Sequence, residues 1–588
     1  MYRKSKLLRC GFIIFSVLTY NFLQASLPAY AQITNSAPIS QKPNPNQDRF
    51  PQQVPVPEPI PPSSEEQPIF SPTPQPTPQA TPTTEPTQPS PGISIRKIEV
   101  TGGIQLKPSL IEPLTKPLEG RTVTLEELKQ VTNAITQLYI ERGYITSRAV
   151  LEAQEIADGI VKIRIVEGVL EKIEVEGTQR LNPDYIRSRI ANGATTPFNA
   201  SQLEDQLQLL RNDPLFTKVQ ASIKSGSTVG KSILTVKVVE APALNVAASI
   251  DNYSPPSVGS ERLGAAISYR NLTGIGDEIS AAYNRTTNGG ASLYDFSYRA
   301  PINSKNGTIQ LRVAPSDSKI TDPEFRTFGI RSNNTLYDIS YRQPLVRSST
   351  EELALSLGFS LQDGQTFLFE NIPFPFGIGA DTNGNTRTRV LKFGQDYALR
   401  DAQGAWGLRS QFNLGTGLFD ATINSGSIPD GRFFSWQGQA QRVQRLGNDN
   451  LLIAQADVQL TPDSLLPSQQ FVIGGGQSLR GYRQNARSGD NGFRFSLENR
   501  IAIQRDETGK PIFQLAPFID LGAVWNHPDN PNKLRNQTFL SGAGLGIIWE
   551  PLPKLTVKAD YAIPLINFTE KGNNAQDKGF YFSVIYNP

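Results

Sequence analysis

Tyr294-Asp295-Phe296-Ser297-Tyr298-Arg299 alternates aromatic and polar side chains at every second residue. Successive side chains of a β-strand point to opposite faces, so the aromatics share one face and Asp295, Ser297 and Arg299 the other. Leu336-Tyr337-Asp338-Ile339-Ser340-Tyr341-Arg342 repeats the pattern, and Asp560-Tyr561-Ala562-Ile563-Pro564-Leu565 echoes it near the end. One apolar, aromatic face against one charged face suits a barrel strand with lipid outside and water inside. A soluble sandwich or propeller has the same period with its polar face turned outward. The pattern runs through residues 241–588, where no convincing amphipathic helix interrupts it. At about 20–22 residues for each strand and its share of loop, that length makes about 16 antiparallel strands. The last strand, residues 579–586, sets Phe580, Phe582, Val584 and Tyr586 on one face.

Upstream, residues 93–240 read as two copies of one small α/β unit, 93–168 and 169–240. The first opens with Ile95-Arg96-Lys97-Ile98-Glu99-Val100-Thr101-Gly102, and the second with Leu170-Glu171-Lys172-Ile173-Glu174-Val175-Glu176-Gly177. In the first, Thr124 and Glu127 form a capping-box pattern that starts a helix. Leu125, Leu128, Val131, Ile135 and Leu138 are expected on its apolar face, with Gly143 closing it. In the second, Ser201 and Glu204 give the same start, followed by Leu203, Leu207 and Leu210. A β-α-α-β-β order repeated at about 75 residues resembles the polypeptide-transport-associated (POTRA) domain; the plain alternative is a generic pair of α/β domains. Small sheets of this kind expose edges to which an extended peptide can add as a strand.

The N-terminus carries Arg3, Lys4, Lys6 and Arg9, an apolar run over residues 11–23, and Ala29-Tyr30-Ala31. That order is a secretory signal peptide, residues 1–31, and the apolar run is shorter than the ~20 residues a spanning helix needs. The only cysteine, Cys10, falls inside it, so the mature chain is expected to have no disulfide and no cysteine metal site. Residues 32–92 are dominated by Pro, Gln, Thr and Ser and read as a disordered or polyproline-II spacer.

A second decisive stretch is Gly474-Gly475-Gly476-Gln477-Ser478-Leu479-Arg480-Gly481-Tyr482. Consecutive glycines reach positive φ and make a poor strand or helix, so Arg480 sits on a pliable loop. A phosphate-binding loop would need Lys-Ser/Thr after its last glycine, where this chain has Tyr482-Arg483. A surface loop tip is the bland reading. Downstream, Phe518-Ile519-Asp520-Leu521-Gly522 puts an acid in an apolar strand, costly unless it faces a polar interior or a cation. Arg480 is the candidate partner, because guanidinium and carboxylate match as a bidentate pair.

Leu479-Arg480-Gly481-Tyr482 resembles the Val-Arg-Gly-Tyr/Phe loop motif of the two-partner secretion outer-membrane transporters and their wider assembly superfamily. Phe518-x-Asp520-x-Gly522 resembles that family's strand motif, which receives the loop arginine inside the barrel. The terminal aromatic strand is similar to the signal by which such barrels are recognised for insertion, although Asn587-Pro588 follow it here. In family members with a plug, an N-terminal helix fills the barrel; no amphipathic stretch of this chain looks like one. The resemblance implies a mostly β protein: an about 16-stranded antiparallel transmembrane β-barrel (241–588) preceded by two small α/β POTRA-like domains, with an inward loop near 474–490.

It further implies a monomeric, ATP-independent pore in the outer membrane, with the POTRA-like domains in the periplasm. The client would be an unfolded exoprotein with an N-terminal secretion domain, of haemolysin, filamentous-haemagglutinin or adhesin type. Outer-membrane lipid would surround the barrel, and the barrel-assembly machinery would insert it. The alternatives are a barrel-assembly insertase of the same superfamily, which generally has three or more such modules, and a passive porin.

Nothing points to an enzyme or a cofactor. The single histidine, His527, lies in the turn-like His527-Pro528-Asp529-Asn530 and gives no zinc site of ordinary ligand type. No Gly-x-Ser-x-Gly elbow supports a triad around it. Asp381-Thr382-Asn383-Gly384-Asn385 hints at a calcium loop, but its glycine comes too early and Lys392 stands where a bidentate acid belongs. A net charge of +3 gives no reason to invoke nucleic acid.

Overall fold

The computed structural model describes residues 92–588 apart from residues 157, 535 and 536. The expected signal peptide and proline-rich spacer, and any plug segment within residues 1–91, fall outside the described residues.

The first module contains β1 (Ile93–Ile95), β2 (Lys97–Thr101), α1 (Pro108–Thr115), β3 (Arg121–Val123), α2 (Leu125–Ile140), β4 (Arg148–Leu151) and β5 (Ile160–Val166). The second contains β6 (Val169–Glu176), α3 (Pro183–Ala191), α4 (Ala200–Arg211), β7 (Phe216–Ser225) and β8 (Lys231–Glu240). Both sheets share one plan. The opening strand pairs parallel with the last strand, which pairs antiparallel with the one before it, giving β2-β5-β4 and β6-β8-β7. The first module departs from the expected β-α-α-β-β order by adding β1 and β3, which pair with each other and bury Ile95 and Val123 in the core.

Local rules explain the helices, with two corrections. At α2 the Thr124 Oγ1 accepts from the Glu127 N–H at 3.2 Å and the Glu127 carboxylate accepts from the Thr124 N–H at 2.7 Å, so the capping box forms. Its buried face is Leu128, Thr132, Ile135 and Tyr139 rather than the set beginning at Leu125. That 4-3-4 spacing follows the helical period, leaving Leu125 exposed in the first turn and Val131 and Leu138 on the flanks. At α4 the cap is Asn199, which accepts from the Ser201 N–H at 3.0 Å. The Ser201–Glu204 box therefore does not form, because Ser201 already lies inside the first turn with its N–H taken. Leu203, Leu207 and Leu210 face the core as read. Each fully buried aliphatic chain in these two cores stabilises its module by about 1.5–3 kcal/mol.

From Leu244 the chain closes into a barrel of 16 antiparallel strands among the described residues. The first strand, Leu244–Asp251, meets the last, Phe580–Tyr586, only over Ala248–Asp251 and Ser583–Tyr586. Tyr294 and Phe296 are exposed on the outer wall, whereas Asp295 pairs with Arg312 of the next strand. Tyr337, Ile339 and Tyr341 likewise face out, and Asp338 takes the Lys392 ammonium at 2.6 Å. Outward apolar and inward charged rows are what lipid and a water-filled lumen require.

Short turns such as 402–403 and 553–554 lie at the end where the modules attach, and long loops at the other. The second module seats its helix side on three of the short turns. The Asn182 N–H donates to the Gly274 carbonyl at 2.9 Å, Asn192 Nδ2 to the Ser304 carbonyl at 3.1 Å, and Ser349 Oγ to Asp205 Oδ1 at 2.7 Å.

Candidate functional site

Residues 461–490 join the strands Asn450–Leu460 and Asn491–Arg505. The segment folds back as a short hairpin, Phe471–Ile473 against Arg487–Gly489, whose tip holds the glycine run. Gly474 and Gly475 take φ of 111° and 101°, and a Cβ on Gly475 would meet Gln484 Oε1 at 1.9 Å, so only glycine fits that turn. Gly475 N–H donates to the Leu479 carbonyl at 3.0 Å, and Gly476 packs on the Tyr253 ring. This tight return aims Arg480 at the inner wall.

There Arg480 meets Asp520 on the strand Pro511–Trp525. Its Nε donates to Asp520 Oδ2 at 2.8 Å, its Nη2 to Oδ1 at 3.0 Å, and its backbone N–H to Oδ2 at 3.0 Å. Nη1 donates to Glu498 Oε2 at 2.7 Å, and the guanidinium carbon lies 3.3 Å from the centroid of the Phe518 ring. Arg480 is 5% exposed and Asp520 1%. The fork is thus bidentate to one acid, bonded to a second and stacked on an aromatic, the geometry that guanidinium serves and ammonium does not. Ser496 Oγ donates to Asp520 Oδ1 at 2.7 Å and fixes the carboxylate. Further out, Arg500 pairs with Glu498 at 2.9 Å, and Asp560 lies 3.4 Å from Lys558 and 3.8 Å from Arg480.

The rest of the motif fastens the loop on either side of the arginine. Gly481, at φ 101°, donates its N–H to Tyr581 Oη at 2.9 Å, and Tyr581 donates to the Tyr482 carbonyl at 2.7 Å. The Tyr482 hydroxyl lies 2.8 Å from the Ser541 carbonyl and 2.9 Å from that of Ile566. Leu479 is buried with Ile473, Tyr482, Val524, Leu540 and Phe568. Arg483 pairs with Asp577 and Arg487 with Glu570, both on the loop before the last strand. Gly522 shares the inner face with Phe518 and Asp520, and a Cβ there would meet the Phe493 carbonyl at 2.8 Å.

Sequence reasoning found Arg480, Asp520 and their motif neighbours but missed Glu498, Asp560, Tyr581 and a row of small residues beside them. On the strand Phe539–Leu552, Gly542, Gly544 and Gly546 alternate with outward Leu545 and Ile547. A Cβ on Gly542 would sit 2.0 Å from the Arg480 carbonyl oxygen, and one on Gly544 2.6 Å from the Phe518 ring. The alternation itself was the available signal: glycine at three successive inward positions leaves room for something other than the strand. His527 is not among the partners of Arg480; its backbone N–H donates at 2.9 Å to Asp490, the last residue of the loop. The Asp381 carboxylate accepts from the Asn383 and Asn385 N–H groups, an ordinary loop closure.

The family profile of the haemolysin secretion/activation proteins ShlB/FhaC/HecB matches residues 230–548. The chain belongs to this family. The ShlB-type POTRA domain profile matches residues 93–168. Among curated relatives, the outer membrane transporter CdiB of Escherichia coli is 24% identical over 474 residues, covering 78% of this chain and 76% of CdiB. The heme/hemopexin transporter protein HuxB of Haemophilus influenzae is 24% identical over 502 residues, covering 80% of this chain and 83% of HuxB. The structure of CdiB from E. coli has the same fold, with a TM-score of 0.65 at 22% identity over 87% of this chain and 93% of that one. This two-partner secretion transporter is therefore an outer-membrane protein whose modules, and the short-turn end of whose barrel, lie in the periplasm. Members of the family carry partner exoproteins across that membrane.

Proposed function

We propose that this transporter is an ATP-independent export pore, which passes one large exoprotein unfolded from the periplasm to the cell surface. The client is of haemolysin, filamentous-haemagglutinin or adhesin type, led by its own secretion domain. Residues 93–168 and 169–240 serve as two POTRA modules that hold the client extended, and residues 241–588 form the channel. In β2, β4, β6 and β7 the modules offer sheet edges that an extended chain can join. Direction comes from folding of the client outside, as no nucleotide motif is present. The monomeric barrel is delivered to the membrane by the barrel-assembly machinery.

One observation carries this reading: Arg480 draws a long cell-surface loop into the lumen and pins it there on two acids of the wall. A buried pair gives little net stability because desolvation offsets Coulomb attraction, so its value lies in fixing where the loop sits. A passive porin needs no such device. The test is Arg480→Ala. The variant leaves the wall acids without their cation but removes no strand pairing, so the barrel should still insert and run as a folded band. Export of the partner exoprotein should be lost. Normal export by Arg480→Ala would remove the pair from the mechanism.

A further inference from the structure

A cavity of about 180 Å³ lies where α3 and α4 of the second module meet the periplasmic ends of the barrel strands. Arg189, Lys305 and Arg347 line it, and its one acid is Asp213. That acid is already engaged, accepting from Tyr185 Oη at 2.7 Å and from the Leu215 N–H at 3.0 Å. Arg189 is 8% exposed and lies 3.4 Å over the Tyr185 ring. It donates Nη1 to the Tyr185 carbonyl and Nη2 to Asn306 Oδ1, while its buried Nε has no hydrogen-bond partner among the described residues. Among the described residues Arg347 has only Glu352 as an ion-pair partner, at 3.5 Å, and that carboxylate also binds Arg342 at 2.6 Å. Lys305, exposed on the turn 302–307, has no ion pair among the described residues. Burial disfavours the Arg189 charge; Tyr185 and Asp213 offset this in part, and the neighbouring Arg347 cation adds to it. A buried donor without a partner, beside the second cation Arg347, is costly unless an anion completes them, and Lys305 adds a third positive charge to the lining.

The apolar rim says which anion. Leu345 lines the cavity and is 55% exposed, at a bulge in the strand Arg331–Arg347. It extends the outward row Tyr337, Ile339 and Tyr341, which faces lipid. A ligand with a phosphate among the cations would therefore have an apolar wall beside it, at the depth of the periplasmic leaflet. We infer that this junction binds the phosphate group of a phospholipid of that leaflet, its acyl chains lying along the barrel wall. Guanidinium forks suit phosphate oxygens, and bound lipid would bridge α3 to two periplasmic turns. The bridge would add a tie between the second module and the barrel beyond their direct hydrogen bonds.

Native mass spectrometry of the full chain in a defined detergent micelle tests this, with short-chain phosphatidylglycerol as probe. The parent protein should retain one lipid, and inorganic phosphate at equal concentration should displace little of it. Each basic side chain beside a membrane surface contributes about 1 kcal/mol, so Lys305→Gln and Arg347→Gln should each weaken retention about fivefold. The double variant should lose it about 25-fold. Neither substitution touches the two module cores, and an unchanged folded band on a gel keeps the comparison valid. Equal retention by parent and double variant would overturn the site. Full displacement by equimolar inorganic phosphate would overturn the lipid assignment.

Discussion

The two periplasmic modules are built on one sheet plan and held in different ways. The second is tied to the turns at Gly274, Ser304 and Ser349 through Asn182, Asn192 and Asp205. The first, among the described residues, reaches beyond itself only to the second, where the Arg142 carbonyl takes Asn199 Nδ2 at 3.2 Å and that of Gly143 the Ala200 N–H at 2.9 Å. The same fold thus does two jobs by spending its helix layer differently. In the second module that layer faces the barrel, and in the first it makes no hydrogen bond to the barrel among the described residues. Even the internal latch is shared. Glu167 accepts from the Ile104 and Gln105 N–H groups at 2.9 and 3.0 Å, and Glu240 from those of Gln179, Arg180 and Leu181 at 2.7–3.0 Å.

Core truncation separates the modules most sharply. Leu207→Ala in the second and Ile135→Ala in the first each delete a fully buried side chain, at about 2–5 kcal/mol. Hydrogen exchange should then show loss of protection at the Asn182 amide, and loosening around 271–277, for Leu207→Ala alone. If Ile135→Ala loosened those turns equally, the modules would not be held differently.

A smaller effect is expected at the second latch. Burial would raise the Glu240 carboxyl, but three backbone N–H bonds and Arg180 hold it below its ordinary value. A depressed acid contributes stability that is present above the unfolded value near 4.5 and lost as pH falls through the folded one. Glu240→Gln should cost the second module about 1.5–3 kcal/mol near neutrality, with the gap closing as acid protonates the parent. A denaturant titration at pH 7 and again well below pH 4.5 measures both; a gap that widened in acid would contradict the assignment.

The smallest effect belongs to the first module. Thr124→Ala removes one partner of the capping box and should cost about 1 kcal/mol locally. Thermal unfolding should show it in the first module with the barrel transition unmoved.

How much of this could be read from the chain depends on the range of the physics. Outward Tyr337, Ile339 and Tyr341 were legible because lipid and water impose a period of two on every spanning strand. The Thr124 box was legible because its partners stand three residues apart. Asn199 was missed because two competent caps, Asn199 and Ser201, lie within one turn, and sequence does not say which one the chain reaches first. Glu498 and Asp560 look like any lumen-facing acid until Arg480 arrives from a distant loop. Gly542 and Gly544 read as weak strand residues for the same reason, since the space they leave is needed only by that loop.

If the wall acids hold the Arg480 loop inside the lumen and export requires it there, loop position and secretion must change together. The mature chain offers no native thiol, since Cys10 is the only cysteine of the sequence and precedes the expected cleavage point. Ala486→Cys therefore places a single buried reporter on the loop. Labelling of intact cells with a membrane-impermeant maleimide, alongside secretion of the partner, reads loop position and function together. The thiol should be protected with export intact in the otherwise unchanged protein, and labelled with export lost once Asp520→Ala and Glu498→Ala are added. A labelled thiol with normal export, or a protected one without either acid, would contradict the account.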